Sequence, residues 1–405
     1  MPGPLEGIRV VDLSSMLSGP WATDILGDQG ADVIKVEPPG TGDHVRSLQN
    51  RSGGLPSMFV NVNRSKRSIT VDLKSAAGRA LVVRLARTAD VVVQNFRPGV
   101  VERLGIGHDD LRAVNPRLIY LSISGFGESG PYAGRRVYDP VVQALSGLTT
   151  IQAGSDTERP RLIRTILPDK LSAVTAAQAI TAALVARSRT GEGQHVRLSM
   201  LDAVLAFLWA SDMGAYTFVD QPVAPEKAAS FIDLIYETAD GYLTVSTMSN
   251  AEWSALCRVG GRDDLVEDPR FATPAARDAN VDERLRLVQE ILRSKTAAEW
   301  LELLPLHDVP CAPALRRFEL ITHPQVLASG SIIETEHATA GPLRQARAAA
   351  RFDGTTIGPP RGAPLLGEHT LEILAELGLD QAEQDALIAS GAVGPVVRPV
   401  LSPTP

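Results

Sequence analysis

Residues 90–96, DVVVQNF, are apolar at consecutive positions and not only at alternate ones. A strand with one face in water alternates, so this run belongs to a strand covered on both faces, as in a parallel sheet flanked by helices. Its surroundings repeat that grammar. Residues 7–13 (GIRVVDL) read as a strand, Ser18-Gly19-Pro20 opens a helix reaching about Gly30, and residues 32–37 (DVIKVE) read as a second strand ended by Pro38-Pro39-Gly40. Strand, helix, strand is a βαβ unit, which requires parallel pairing. The unit recurs with a strand at 69–73, a helix at 76–88, the 90–96 strand and another strand at 118–124. The fold class expected is α/β, an open, doubly wound, Rossmann-like sheet complete by about residue 190.

Beyond it, TGEGQ at 190–194 reads as a turn and 195–200 as a strand, with Asp202 capping the helix that follows. Composition shifts over 219–225, where Pro222 and Pro225 bracket a linker. A strand at 242–247 and helices near 251–259, 281–294 and 297–304 predict a smaller α+β domain. Apolar strands return at 330–336 and near Phe352, an amphipathic helical stretch covers 367–390, and the tail from 393 to 405 reads as loose. The expected division is a large discontinuous domain (1–190 and 335–405), a linker (191–225), a small domain (226–325) and a return linker (326–334).

A net charge of −7 without a basic stripe argues against a nucleic-acid partner. The one tight basic cluster, Asn63-Arg64-Ser65-Lys66-Arg67, reads as a solvated turn or as a seat for one small polyphosphate. Two cysteines, Cys257 and Cys311, exclude a disulfide framework and fit a reducing compartment. The chain opens without the charged and apolar regions of a signal peptide. No apolar run approaches the ~20 residues of a membrane span, so the expectation is a soluble, cytoplasmic protein with no membrane partner. The seven histidines lack metal-ligand spacing and there is no H-E-x-x-H or C-x-x-C, so no metal is expected.

Gly125-Phe126-Gly127-Glu128-Ser129-Gly130 matches G-x-G-x-x-G after a strand, yet Pro131-Tyr132-Ala133-Gly134 extends a loop where a dinucleotide site needs a helix. A glycine-rich active-site loop stays open. No G-x-S-x-G elbow is present, which leaves a carboxylate as the candidate nucleophile. Asp169 is the best placed, because it follows Pro168 at the start of an Ala-rich helix running to Thr190. In the first turn or at the N-cap, it either caps the helix or acts as a nucleophile, and the helix dipole is expected to keep it ionised at neutral pH. Asn95, Phe96, Arg97 and Arg103, with Arg136, Val137, Tyr138 and Asp139, sit on loops at or after strand ends, where α/β sheets bind ligands. Several arginines at one sheet edge favour a phosphate-bearing ligand.

These segments, in order, resemble the class III CoA-transferases, the family of formyl-CoA, L-carnitine and bile-acid CoA-transferases. The stretches that carry the likeness include LEGIRVVDLSSMLSGP, GADVIKVEPPGTGD, DVVVQNFRPGVVERLGI, NPRLIYLSISGFGESGPY, VYDPVVQALSGL, RTGEGQHVRLSMLDAV and PLLGEHTLEILAELG, spanning residues 5 to about 380. The resemblance implies coenzyme A and acyl-CoA as co-substrate, no permanently bound cofactor, small carboxylic acids as substrates, and an interlocked ring-like homodimer. It implies a nucleophilic Asp169 that passes through an aspartyl anhydride and an aspartyl-CoA thioester. Oxyanion donors are expected from glycine-rich turns such as 125–130.

Carried over by position, Asn95, Phe96, Arg97 and Arg103 fall on nucleotide-binding positions, and Val71 and Lys74 on the adenine-side strand end. Arg136 stands where formyl-CoA transferases can have lysine, Tyr138 matches the family tyrosine, and Val137 and Asp139 flank it. Leu17 and Pro38 depart, standing where formyl-CoA transferases have glutamine and arginine, and Met248-Ser249-Asn250 lacks their glycine-rich loop. Leu17 points to a more apolar acyl group than oxalate. The rivals are an α-methylacyl-CoA racemase, whose catalytic histidine is replaced here by Tyr138, and a non-catalytic acyl-CoA-binding homologue that has kept only the fold.

Overall fold

The computed structural model describes residues 3–220, 233–355, 358 and 360–394. The expected linker prolines, Pro222 and Pro225, and the tail from 395 onward lie outside the described residues. The chain divides into two compact units, residues 1–229 with 331–405, and residues 230–330.

The first unit is built on a six-stranded parallel sheet. Its strands are β1 (Arg9–Asp12), β2 (Asp32–Glu37), β3 (Lys66–Thr70), β4 (Val91–Gln94), β5 (Ile119–Ser124) and β6 (His195–Ser199). They lie in the spatial order β3-β2-β1-β4-β5-β6. Consecutive residues of the central strands face opposite sides, as pleating dictates. Val10, Val33, Val91 and Val93 meet α1 (Ser18–Asp28) and, on the same face, Ala173, Ala176, Ala177 and Ile180 of a later helix. Val11, Ile34 and Val92 meet Leu81, Val82 and Leu85 of α2 (Ala76–Thr88), with Ile373 and Leu374. Each such valine or leucine contributes about 1.5–3 kcal/mol on burial, which is why the runs are apolar at successive positions.

Three of the helices that follow α2 in the chain pack against one another. They are α3 (Asp139–Leu145), α4 (Leu167–Thr190) and α5 (Met200–Trp209). Small residues on the buried face of α4 let it lie close to the sheet, and Gly191, at φ 77°, ends it in the left-handed conformation that glycine tolerates. By length and composition α4 meets the requirement for a membrane span, contrary to the reading that no run approaches one. Its alanine face is buried in the core of this unit. Ser199, not Asp202, caps α5, its hydroxyl accepting the N–H of Asp202 at 2.9 Å.

The basic cluster at 63–67 is neither a solvated turn nor a phosphate seat. Lys66 is fully buried, with Nζ 2.9 Å from Asp12 Oδ2 and donating to Pro20 O at 2.7 Å. Arg64 pairs with Asp28, and Arg67 with Asp32, Glu372 and Glu376. Buried lysine and arginine survive only when paired in this way.

The second unit holds an antiparallel sheet of β7 (Ile235–Glu237), β8 (Tyr242–Val245) and β9 (Cys311–Pro313), with β8 central. Helices α6 (Asn250–Val259), α7 (Val281–Leu292) and α8 (Ala297–Leu303) pack on it around buried Trp253, Phe271 and Trp300. Back in the first unit, β10 (Ile332–His337) pairs with β11 (Gly341–Ala346). The returning strand is therefore a hairpin partner nearer than Phe352. The 367–390 stretch is two helices, α9 (Thr370–Glu376) and α10 (Gln381–Ala389), parted at Gly378, φ 73°. Val393, read as the start of a loose tail, is 1% exposed and bridges to Val71.

Candidate active site at the carboxyl edge of the sheet

The chain leaves β1 toward β2 and β3 on one side and returns to β4 on the other. The loops after β1 and β4 therefore diverge, and the crevice they leave is where open α/β sheets bind ligands. Asp169 lies there, third residue of α4 behind the cap residue Ile166, and half-buried. Its backbone N–H donates to Asp139 Oδ2 at 3.2 Å. Asp139 is the first residue of α3, and its Oδ1 accepts from Gln143 Nε2 at 2.6 Å. Gln143 in turn accepts the N–H of Ile163 at 2.9 Å and donates to Thr165 O at 3.2 Å, fixing the segment that leads into α4. From the other side α1 packs against α4, and its first residue, Ser18, is near enough for its hydroxyl and backbone N–H to favour the ionised Asp169 carboxylate. Three helix starts meet at one carboxylate.

Burial pushes the Asp169 carboxyl up to about 6, the neighbouring Asp139 adds to the rise, and the two Ser18 donors only partly offset it. The expectation that the helix end simply keeps this group ionised thus misses half of the physics. Desolvation and a like charge act against the dipole, and the group titrates close to neutrality. Asp139 is itself raised, chiefly by burial. A carboxylate balanced this way is partly desolvated yet charged above pH 6, which suits a nucleophile.

The other predicted residues divide into those at this edge and those that serve the scaffold. Phe96, Arg97 and Arg103 follow β4; Arg97 and Arg103 are exposed, with no ion-pair partner among the described residues. Phe96 donates its N–H to Gln94 Oε1 at 2.7 Å. Both polar atoms of the Asn95 side chain are spent on Ser15. Val71 is buried, and the exposed Lys74 is the second residue beyond Asp72, whose carboxylate takes the Lys74 N–H at 3.0 Å. Arg136 and Tyr138 are exposed, Tyr138 at 69%. Val137 lies against Gly125, where an added Cβ would stand 2.4 Å from its methyl, so the first glycine of the 125–130 loop is a packing requirement. The N–H of Gly127 is taken by Ser124 Oγ at 3.0 Å, so that amide of the loop is already engaged. Leu17 is the buried residue capping α1, and Pro38 is exposed beyond β2.

A cavity of about 270 Å³ lies beside Phe96 and Arg97, lined also by Gln94, Ser122, His108 and His195. A larger one of about 770 Å³ opens at the opposite, amino-terminal edge by Arg9, Asp32 and Arg67, away from Asp169. Asp169 lies instead at the carboxyl edge, where the starts of α1, α3 and α4 meet. Sequence reading missed Ser18 and Gln143. Ser18 was visible as the residue opening the helix after β1, but nothing local says that a chain segment 150 positions away returns to it.

The sequence profile of CoA-transferase family III matches residues 5–370. This chain belongs to CoA-transferase family III. Among relatives of this family, an acyl-CoA transferase of Fusarium pseudograminearum is 37% identical over 398 residues, covering 93% of this chain and 86% of its own. Human succinyl-CoA:glutarate CoA-transferase is 33% identical over 398 residues, covering 96% and 90%. The crystal structure of Rv3272 from Mycobacterium tuberculosis superposes with a TM-score of 0.80 at 34% identity, covering 91% of this chain and 99% of that one. The chain is a class III CoA-transferase, an enzyme of acyl-CoA metabolism, and the family supports transfer of CoA between an acyl-CoA and a carboxylate.

Proposed function

We propose that this chain moves coenzyme A from an acyl-CoA donor to a carboxylic acid acceptor with Asp169 as covalent nucleophile. The observation that carries this reading is the Asp169 carboxylate itself, desolvated, titrating near 6 and gripped at the meeting of three helix starts. A carboxylate oxygen of Asp169 attacks the thioester carbonyl, the C–S bond breaks, and CoA leaves as thiolate with a mixed anhydride left on Asp169. The thiolate then attacks the aspartyl carbonyl, giving an aspartyl-CoA thioester and the free donor acid as carboxylate. The acceptor carboxylate attacks that thioester, CoA leaves again, and the second anhydride gives its acyl group to the thiolate while Asp169 is regenerated. Charge balances at every step, so no base is needed. The Ser18 N–H and hydroxyl hold the attacking carboxylate in place, and oxygen charge that develops beside it faces helix N-termini.

Arg97, Arg103, Arg136 and Lys74 supply the cations for the CoA phosphates, and Phe96, Val71, Val137, Tyr138 and Asp139 the remaining contacts implied by the family positions. The reading includes a homodimer, supported by the exposed Phe207, Trp209, Tyr216 and Phe218 following the buried start of α5. The first unit, residues 1–229 with 331–405, which takes in β6 and α5 beyond the expected boundary at 190, forms the CoA-binding part. The relative named for succinyl-CoA and glutarate supports organic acids as the substrate class.

The test is CoA transfer to isotope-labelled carboxylates, run beside α-deuterium exchange on a 2-methylacyl-CoA. Transfer without exchange is expected, and Asp169→Ala is expected to lose at least about 10³-fold in kcat while still binding CoA. Exchange without transfer would make the chain a racemase. Unchanged turnover in the Asp169→Ala enzyme would remove the mechanism.

A further inference from the structure

Asn95 sits just past β4, at the crevice where the sheet order reverses. Pairing of β1 with β4 runs Val10↔Val91, Val11↔Val92 and Asp12↔Val93, and Leu13 N–H still donates to Val93 O at 2.8 Å. Beyond that the two backbones part, and the Asn95 side chain extends the ladder. Its Oδ1 accepts the N–H of Ser15 at 2.9 Å, and its Nδ2 donates to Ser15 O at 2.7 Å. The neighbouring loop groups are also held by side chains. Asp12 Oδ1 takes the N–H of Ser14 at 2.9 Å, Lys35 Nζ donates to Ser14 O at 3.1 Å, and Asp43 Oδ1 takes the N–H of Met16 at 3.1 Å. Met16 is at φ 71°, a left-handed conformation that a side chain sustains only when its surroundings over-determine it. Ser14 lies so close to Gly19 that a Cβ there would stand 2.3 Å from it, which seats the loop on the first turn of α1. The next residues are Leu17 and Ser18, where α1 begins; α1 packs along α4, and Ser18 favours the ionised Asp169 carboxylate at the start of that helix.

We propose that Asn95 is a positioning residue for the transfer reaction, its two-point grip on Ser15 holding residues 14–18 so that Ser18 keeps both donors on Asp169. The inference rests on the reading of Asp169 as nucleophile. An amide is the group the geometry asks for, since it offers a donor and an acceptor in one plane, whereas a carboxylate offers only acceptors. With both polar side-chain atoms engaged by the loop, Asn95 differs from the nucleotide contact that its family position implies.

The test compares the full-length wild-type enzyme with Asn95→Ala, Asn95→Asp and Ser18→Ala by pH–rate profile. In Asn95→Ala the loop loosens, Asp169 loses donors, and its carboxylate is less favoured. The acid limb of kcat moves to higher pH by about half a unit or more, and kcat falls about 10- to 100-fold. KM for acyl-CoA stays within about twofold, because no substrate contact is removed. Asn95→Asp keeps the acceptor for Ser15 N–H and falls between the two, and it carries the comparison if the alanine variant does not fold. In a Ser18→Ala background the Asn95 change adds little, as expected of two residues acting through one bond set. A raised KM with an unmoved acid limb, or full additivity with Ser18→Ala, overturns the proposal. Trapping Asp169 as a hydroxamate in the wild type separates the two levels: no trapped Asp169 removes the nucleophile and this inference together, whereas trapping with an unmoved Asn95→Ala profile removes only the inference.

Discussion

A single carboxylate shows the trade between stability and reactivity. Asp169 is raised from 3.8 to about 6 by burial and by Asp139, so the folded state binds its proton more tightly than the unfolded state does. The stabilising contribution is then fully present below the unfolded value and lost as pH rises through about 6; ionising the group in the fold costs about 3 kcal/mol. Asp169→Asn, which keeps the shape and drops the charge, is expected to be more stable than wild type at pH 7.5. The gain should fade as pH falls toward 4, where the wild-type carboxyl is neutral as well. Thermal melting across that range checks it, and a variant that is equally stable at both ends would contradict the account. With Asp169 as the proposed nucleophile, turnover is expected to have the opposite dependence, rising with pH through about 6 as the carboxyl ionises.

At the scale of elements, the carboxyl edge is held by ions that the sheet buries. Asp12 at the end of β1 is pushed up by burial, but Lys66 and Lys35 outweigh that and hold it far below the usual carboxylate range. The same carboxylate accepts from Thr23 of α1 at 2.7 Å and from Ser14, so one group ties β1, β3, α1 and the loop that presents Ser18. Lys66→Met would leave this charge buried with one partner fewer, and the expected loss is about 3–5 kcal/mol in urea denaturation. A loss below about 1 kcal/mol would show that Lys35 and the hydroxyls suffice alone. The strands and helices around these groups were legible in the sequence because burial writes itself as periodicity, in 90–96 most clearly. The ionic lattice was not. Asn63 to Arg67 looks like any polar cluster until β3 is known to run through the middle of a layer, beside the aspartate that ends β1. The 367–390 stretch shows the converse, a good helical pattern broken by one left-handed glycine, Gly378.

At the scale of the whole molecule, the site joins residues 18, 139 and 169, which are brought together only by the order in which the strands are laid down. That order, β3-β2-β1-β4-β5-β6, was implied in kind by repeated βαβ units, but the switch between β1 and β4 could not be placed from the chain alone. Asp169 was therefore readable as a candidate, whereas the approach of Ser18 was not, and neither was the grip of Gln143 on Ile163 and Thr165, since these span separations that no local pattern records. The second unit, around Trp253 and Trp300, was visible as a change of pattern, although its strands Ile235–Glu237 and Cys311–Pro313 were too short to announce themselves. The central claim is that this assembly makes Asp169 a covalent carrier of acyl and CoA groups. Incubating the enzyme with acyl-CoA, quenching with hydroxylamine and mapping the peptides by mass spectrometry tests it directly. The account predicts a hydroxamate at Asp169 that requires acyl-CoA; an unmodified Asp169 under active turnover would contradict it.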